Sequence, residues 1–191
     1  MPQNCPTLID YSAADECLEN LAGLGEVAYV GLRSDLKNPL TLTGNVYSGL
    51  DFKDGKGLVK FDLKEDSQKI EGSSNGKRKG YNLTATIVFD AVNRKTSLLT
   101  CALNNLGDLF LIMPDGDDNQ IMYDPNKKVH ADSGGITTTT GDTPDSDRIT
   151  TAALILGPVK YGNLFLDLPV GKTLDDFVVN DGDNNSDDSS E

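Results

Sequence analysis

The chain has no tryptophan, a single histidine, three cysteines and no long apolar run in its 191 residues. A helical membrane span needs about 20 consecutive, mostly apolar residues, so none is expected. Nucleophilic catalysis commonly draws its base from histidine, and His130 lies in KKVHAD with no Gly-x-Ser-x-Gly elbow around any serine. An enzyme is therefore not expected. Cys5, Cys17 and Cys101 are odd in number, and together with His130 they lack the tight spacing of a zinc site, so they read as reduced thiols. The start, MPQNCPTLIDYS, offers neither a basic stretch nor an apolar signal core, and the expectation is a soluble protein that stays in the cytoplasm where it is made. Lack of both tryptophan and a signal also argues against an exported sugar-binding sandwich.

Basic charge is scarce as well: 17 Lys and Arg face 30 Asp and Glu, for a net charge of −13. Seven of the acids lie beyond Lys172 in TLDDFVVNDGDNNSDDSSE, which has no base, leaving the body with the remaining six negative charges. Affinity for nucleic acid comes mainly from cations that neutralise phosphates, so a sequence-reading DNA-binding role is excluded. Residues 180–191 contain nothing apolar to offset an ordering cost of about 1–2 kcal/mol each, and read as a disordered acidic tail. Residues 1–25 read as an N-terminal arm or short helix, with Cys17, Leu18, Leu21 and Ala22 of SAADECLENLAG on one side. Residues 26–179 form the one folded domain.

What the body does have is alternation of polar and apolar residues in short segments bounded by Gly, Asn, Asp or Pro, which predicts strands. Glu26–Arg33, apolar on both faces, reads as a central strand, while Leu40–Gly49 and Gly57–Leu63 read as half-wet strands. Gly72–Gly80 has hairpin-tip composition, and Leu83–Phe89 follows as a half-buried strand. Asn93–Leu106 has Leu99, Leu103 and Leu106 at helical spacing with Gly107 as a stop, and predicts the one clear helix, packed on a sheet. LFLIM-PDGDDN-QIMYD predicts a further hairpin. ADSGGITTTTGDTPDSD reads as a long exposed excursion, and RITTAALILG and YGNLFLDL read as two strands joined at Gly157 and Pro158.

Two charged clusters qualify as candidate sites. Lys77, Arg78 and Lys79 form the one basic cluster, at the hairpin tip, and suit electrostatic docking on a neighbouring copy. Asp115, Asp117 and Asp118 are acidic residues of a turn or of a channel lining. They fail as a calcium loop, because Gln120 stands where the loop needs Gly and Asn126 where it needs Glu. No Gly-rich stretch matches a phosphate-binding loop, and no cofactor or metal is expected.

The segments LAGLGEVAYVGLRSDL, KIEGSSNGKRKGYNLTATIVFD, NNLGDLFLIMPDGDDNQIMYD and TTTTGDTPDSDRITTAALILGPVKYGNLFLDL resemble structural tail proteins of phages infecting gut Bacteroidetes. The order of elements is similar to the phage tail-tube fold. That resemblance implies a mainly β protein, a β-sandwich or partly closed β-barrel with one flanking α-helix. It also implies homo-hexameric rings that stack into a hollow tail tube, with other tail or neck proteins as partners and no membrane. DNA would pass without specific binding, and the protein would reside in the virion tail after assembly in the host cytoplasm. A head–tail connector, a collar ring or a capsid decoration protein is the alternative expectation.

Overall fold

The computed structural model describes residues 24, 26–64, 68–77, 79–89, 92–105, 107–115, 118–140 and 148–179. The expected N-terminal arm (up to residue 23) and the acidic tail 180–191 lie outside them. In chain order the strands are β1 (Val27–Leu32), β2 (Thr41–Thr43), β3 (Val46–Ser48), β4 (Val59–Asp62), β5 (Lys69–Ser74) and β6 (Tyr81–Phe89). The helix α1 (Arg94–Asn105) follows, then β7 (Leu109–Asp115), β8 (Asp118–Met122), β9 (His130–Thr139), β10 (Ile149–Val159) and β11 (Phe165–Leu166). Short 3-10 turns occupy Arg33–Asp35 and Leu174–Phe177.

These strands form two open sheets. One has seven strands in the order β2-β3-β11-β8-β7-β1-β4; the other has four in the order β5-β6-β10-β9. The sandwich is thus the form observed, and neither sheet closes into a barrel among the described residues. All pairings are antiparallel except the short parallel contact of β11 with β3.

Alternation along the strands sets what is buried. In β6, Leu83, Ala85, Ile87 and Phe89 face inward, and in β10 Thr150, Ala152, Leu154 and Leu156 do the same. They meet the face of the seven-stranded sheet that carries Ala28 and Phe61, whose ring packs edge-on against Phe89. The far face of that sheet is covered too: Phe110 stacks on Phe52 and meets Tyr123 edge-on, and Phe52 also touches Phe177 in the 3-10 turn. Being covered on both sides is why β7 reads as a continuous apolar run. Gly31 is required in this layer, since a Cβ there would sit 2.6 Å from the Phe110 ring.

The helix begins with Asn93 as its cap: the Asn93 side chain accepts from the Thr96 backbone N–H, and the Thr96 hydroxyl accepts from the Asn93 backbone N–H. Leu103 is buried and Leu99 half-buried, as the spacing predicts, while Leu106 lies outside the described residues.

Three expectations are corrected. Leu40–Gly49 is a tight hairpin, β2 and β3 joined through Gly44 at φ +63, because glycine followed by asparagine admits the turn in the middle of an alternating pattern. The supposed excursion from Ala131 is largely β9, a ten-residue strand paired to β10; an edge strand tolerates small polar residues, and the register shift opposite Ala152 and Leu154 absorbs the Gly134–Gly135 pair. Residues 141–147 of that stretch lie outside the described residues. Gly157 and Pro158 are not a joint between strands but lie within β10, where an irregularity between Leu156 and Val159 accommodates a residue without an N–H.

Candidate functional site

Among the described residues the two outermost strands of the four-stranded sheet have only one partner each. β5 pairs with β6 alone and β9 with β10 alone. Successive antiparallel pairings make β5 and β9 run in opposite directions. Strand edges of this kind present a row of unpaired backbone donors and acceptors, which favours pairing with another chain. The sheet's outward face carries Thr84, Thr86 and Val88 of β6, Ile149, Thr151, Ala153 and Ile155 of β10 and Thr137 of β9, with the Lys69–Glu71 ion pair of β5, 2.9 Å long, at one margin.

At the end of the β5–β6 hairpin the chain turns through Gly76 at φ +98 and Gly80 at φ +79. The turn is closed by hydrogen bonds from Asn75 N to Gly80 O (2.9 Å) and from Lys79 N to Gly76 O (3.1 Å). An amide pair, Asn75 to Asn82 at 2.9 Å, braces its base. Lys77 and Lys79 are exposed on this tip, as the sequence predicts; Arg78 lies outside the described residues. Asp115 and Asp118 are the facing pair that closes the β7–β8 hairpin, and the Gln120 side-chain amide donates to Asp115. They are turn residues of the seven-stranded sheet, away from the threonine face, and Asp117 lies outside the described residues. The structure does not bring the basic and acidic clusters together: no ion pair joins them among the described residues.

Between the two sheets, on the β5 side, lies an open cleft of about 650 Å³ lined by Tyr81, Tyr161 and Phe165 together with Asn45, Asn163 and Glu71. Its floor is bare backbone, because a Cβ on Gly72 would lie 2.0 Å from the Gly162 carbonyl oxygen. Nothing in the sequence signals this cleft, since its walls come from four separate stretches. Opposite, beside β9, α1 closes the sandwich, and an apolar cavity of about 210 Å³ remains between Leu99, Ala102 and Leu103 of the helix and Val30, Val59 and Phe61 of the seven-stranded sheet.

Polar contacts elsewhere hold loops to this frame. The Arg33 guanidinium meets Asp108 at 2.9 Å and donates to the carbonyls of Asp124 and Lys127 at 2.9 and 2.8 Å. Burial alone would push the Asp108 carboxyl up, but hydrogen bonds from Ser34 and Arg33 outweigh it and hold the group below the usual carboxylate range. Asp175 is held low by its hydrogen bonds from Lys60 and then Tyr29, both 2.9 Å, which pin the Leu174–Phe177 turn to the sheet. Burial pushes the Tyr47 hydroxyl up to about 12.

No family model, curated protein or solved structure matches the chain.

Proposed function

We propose that the protein is a structural subunit of a phage virion that joins copies of itself into hexameric rings stacking as a tail tube, through which DNA passes. The observation that carries this reading is the pair of oppositely directed edges left unpaired, among the described residues, on one sheet of long strands. When copies related by a rotation are set side by side, β9 of one lies antiparallel to β5 of the next, so the same joint can repeat until the ring closes.

Simple geometry is compatible with a ring of six around a duplex. Six copies supply 24 strands, and at about 4.8 Å per strand the wall is about 37 Å across before strand tilt widens it. Side chains on opposite walls occupy about 10 Å of that, leaving a bore of about 27 Å. A trimer would leave about 8 Å by the same reckoning and pass no duplex. With the sandwich interior on the outer side of that wall, the threonine face becomes its lining. Such a surface binds water through hydroxyls and has a lysine already paired with Glu71, so it gives phosphates little reason to release their counter-ions.

Light scattering coupled to size-exclusion chromatography, followed by negative-stain imaging, tests the reading. Rings or stacked rings that grow with protein concentration are expected; a strict monomer at every concentration rejects it.

A further inference from the structure

The β5-side cleft narrows its choice of ligand by the charges it withholds. Glu71, the one charged residue of its lining, is paired with Lys69 at 2.9 Å, and the nearby Lys160 ammonium lies over the Tyr161 ring, 4.7 Å from the centroid. An anion or a cation therefore finds no unmatched charge there. Among the described residues no group of three or more His, Cys, Asp or Glu could hold a metal ion. The cleft is also open and mostly polar, which disfavours a wholly apolar ligand.

What the walls offer is neutral. Tyr81 lies against Gly162 and is still 37 % exposed, so part of an aromatic surface is left bare. Around it stand the side-chain amides of Asn45 and Asn163 and the hydroxyls of Tyr81 and Tyr161, none with a hydrogen-bond partner among the described residues. Each amide both donates and accepts, and so does each hydroxyl. The matching ligand is uncharged, with an apolar face and a rim of groups that also donate and accept. A pyranose has that form: its C–H face packs on an aromatic ring while its hydroxyls meet amides. The cleft's volume of about 650 Å³ lies within the range of about 300–1,000 Å³ usual for small-ligand sites.

We infer that this cleft binds a short neutral saccharide, with one sugar ring stacked on Tyr81 and its hydroxyls bonded to Asn45 and Asn163. Tyrosine takes the stacking role that tryptophan would fill with a larger surface, so the lack of tryptophan lowers affinity without removing the site. The inference goes beyond the ring reading and does not depend on it.

Ligand-observed saturation-transfer NMR on the full chain, at protein concentrations below those that form rings, tests it. The probes are maltotriose, cellotriose, mannotriose and triacetylchitotriose, with trigalacturonate and deacetylated chitotriose as charged counterparts and a neutral Ser/Gly/Asn pentapeptide. Saturable binding of at least one neutral trisaccharide is expected, tighter than that of either charged one. Tyr81→Ala is expected to weaken it about tenfold or more and the exposed Asn163→Ala about threefold to tenfold, while Tyr81→Phe keeps the ring and Thr137→Ala, on β9, changes nothing. Unfolding midpoints check that each variant is folded. No binding of any neutral trisaccharide at millimolar concentration, binding that Asn163→Ala leaves unmoved, or preference for a charged probe or the peptide overturns the inference. A chain that stays monomeric yet binds rejects the ring alone, and a chain that forms rings but fails this test rejects the saccharide site alone.

Discussion

The two sheets share a core yet follow different rules. No strand of the seven-stranded sheet exceeds seven residues, and its order jumps back and forth along the chain; three of the four strands in the other sheet have nine or more residues and pair in two plain hairpins joined side by side. The first sheet is covered on both faces, with Phe110 at its centre and loops clamped over it by Arg33 and Asp175. Among the described residues the second is covered on one face and leaves a threonine-bearing face uncovered and two edges unpaired. Burial on both faces places much of the single chain's stability in the first sheet, while the second has the longer strands, both register shifts and, among the described residues, two unpaired edges.

Substitutions break or sharpen that division. Phe110→Ala removes the largest aromatic contact of the covered sheet and is expected to cost about 3–5 kcal/mol in urea unfolding. Arg33→Met leaves the Asp124 and Lys127 carbonyls without this donor and the Asp108 carboxylate with Ser34 but no cation, and a loss of about 2 kcal/mol or more is expected in the same measurement. Charge reversal at Lys77, Arg78 and Lys79 should leave unfolding unchanged but weaken assembly by about 1 kcal/mol per interface, and less at high salt; sedimentation across a salt series reads this. Thr84→Ala on the open face should stay within about 0.5 kcal/mol of the parent. A large loss there would show that the threonine face supports the isolated chain and would erase the contrast.

Acid acts on the clamped sheet. The folded-state pKa values of Asp108 and Asp175 lie below their unfolded values. Their stabilisation is therefore present above the unfolded carboxylate range, near pH 4, and is lost as pH falls through the lower folded values. Asp108→Asn should flatten part of the acid limb of stability against pH. Asp175→Asn should flatten it less, because its carboxylate and the Lys60 ammonium are exposed and well screened.

Much of this was legible from residues read singly. Asn93, the leucine spacing and Gly107 announce α1, and the Gly-Lys-Arg-Lys-Gly tip announces the β5–β6 hairpin, because caps and turns are local chemistry. A period of two reports which face of a strand is buried but not which strand lies beside it, so the parallel contact of β11 with β3 and the placing of β4 at a sheet edge carried no signal. For β9 the pattern misled: Gly134, Gly135 and four threonines resemble a loop unless β10 is known to run alongside. The basic tip and the Asp115–Asp118 turn were found as local clusters. The cleft was not, since Asn45, Glu71, Tyr81 and Tyr161 become neighbours only when the sheets pack face to face.

Gly72 and Gly162 give that packing a fixed gauge. Where they meet, main chain lies directly on main chain, so even a methyl group would wedge the layers apart. Alanine at Gly72 would therefore act beyond its own size, pushing the chain at Gly162 off β5 and widening the mouth of the cleft, whereas at Gly162 a Cβ would meet the Tyr81 ring at 3.2 Å. In a ring of the kind proposed, joints that must repeat at one angle would leave little tolerance for such a wedge.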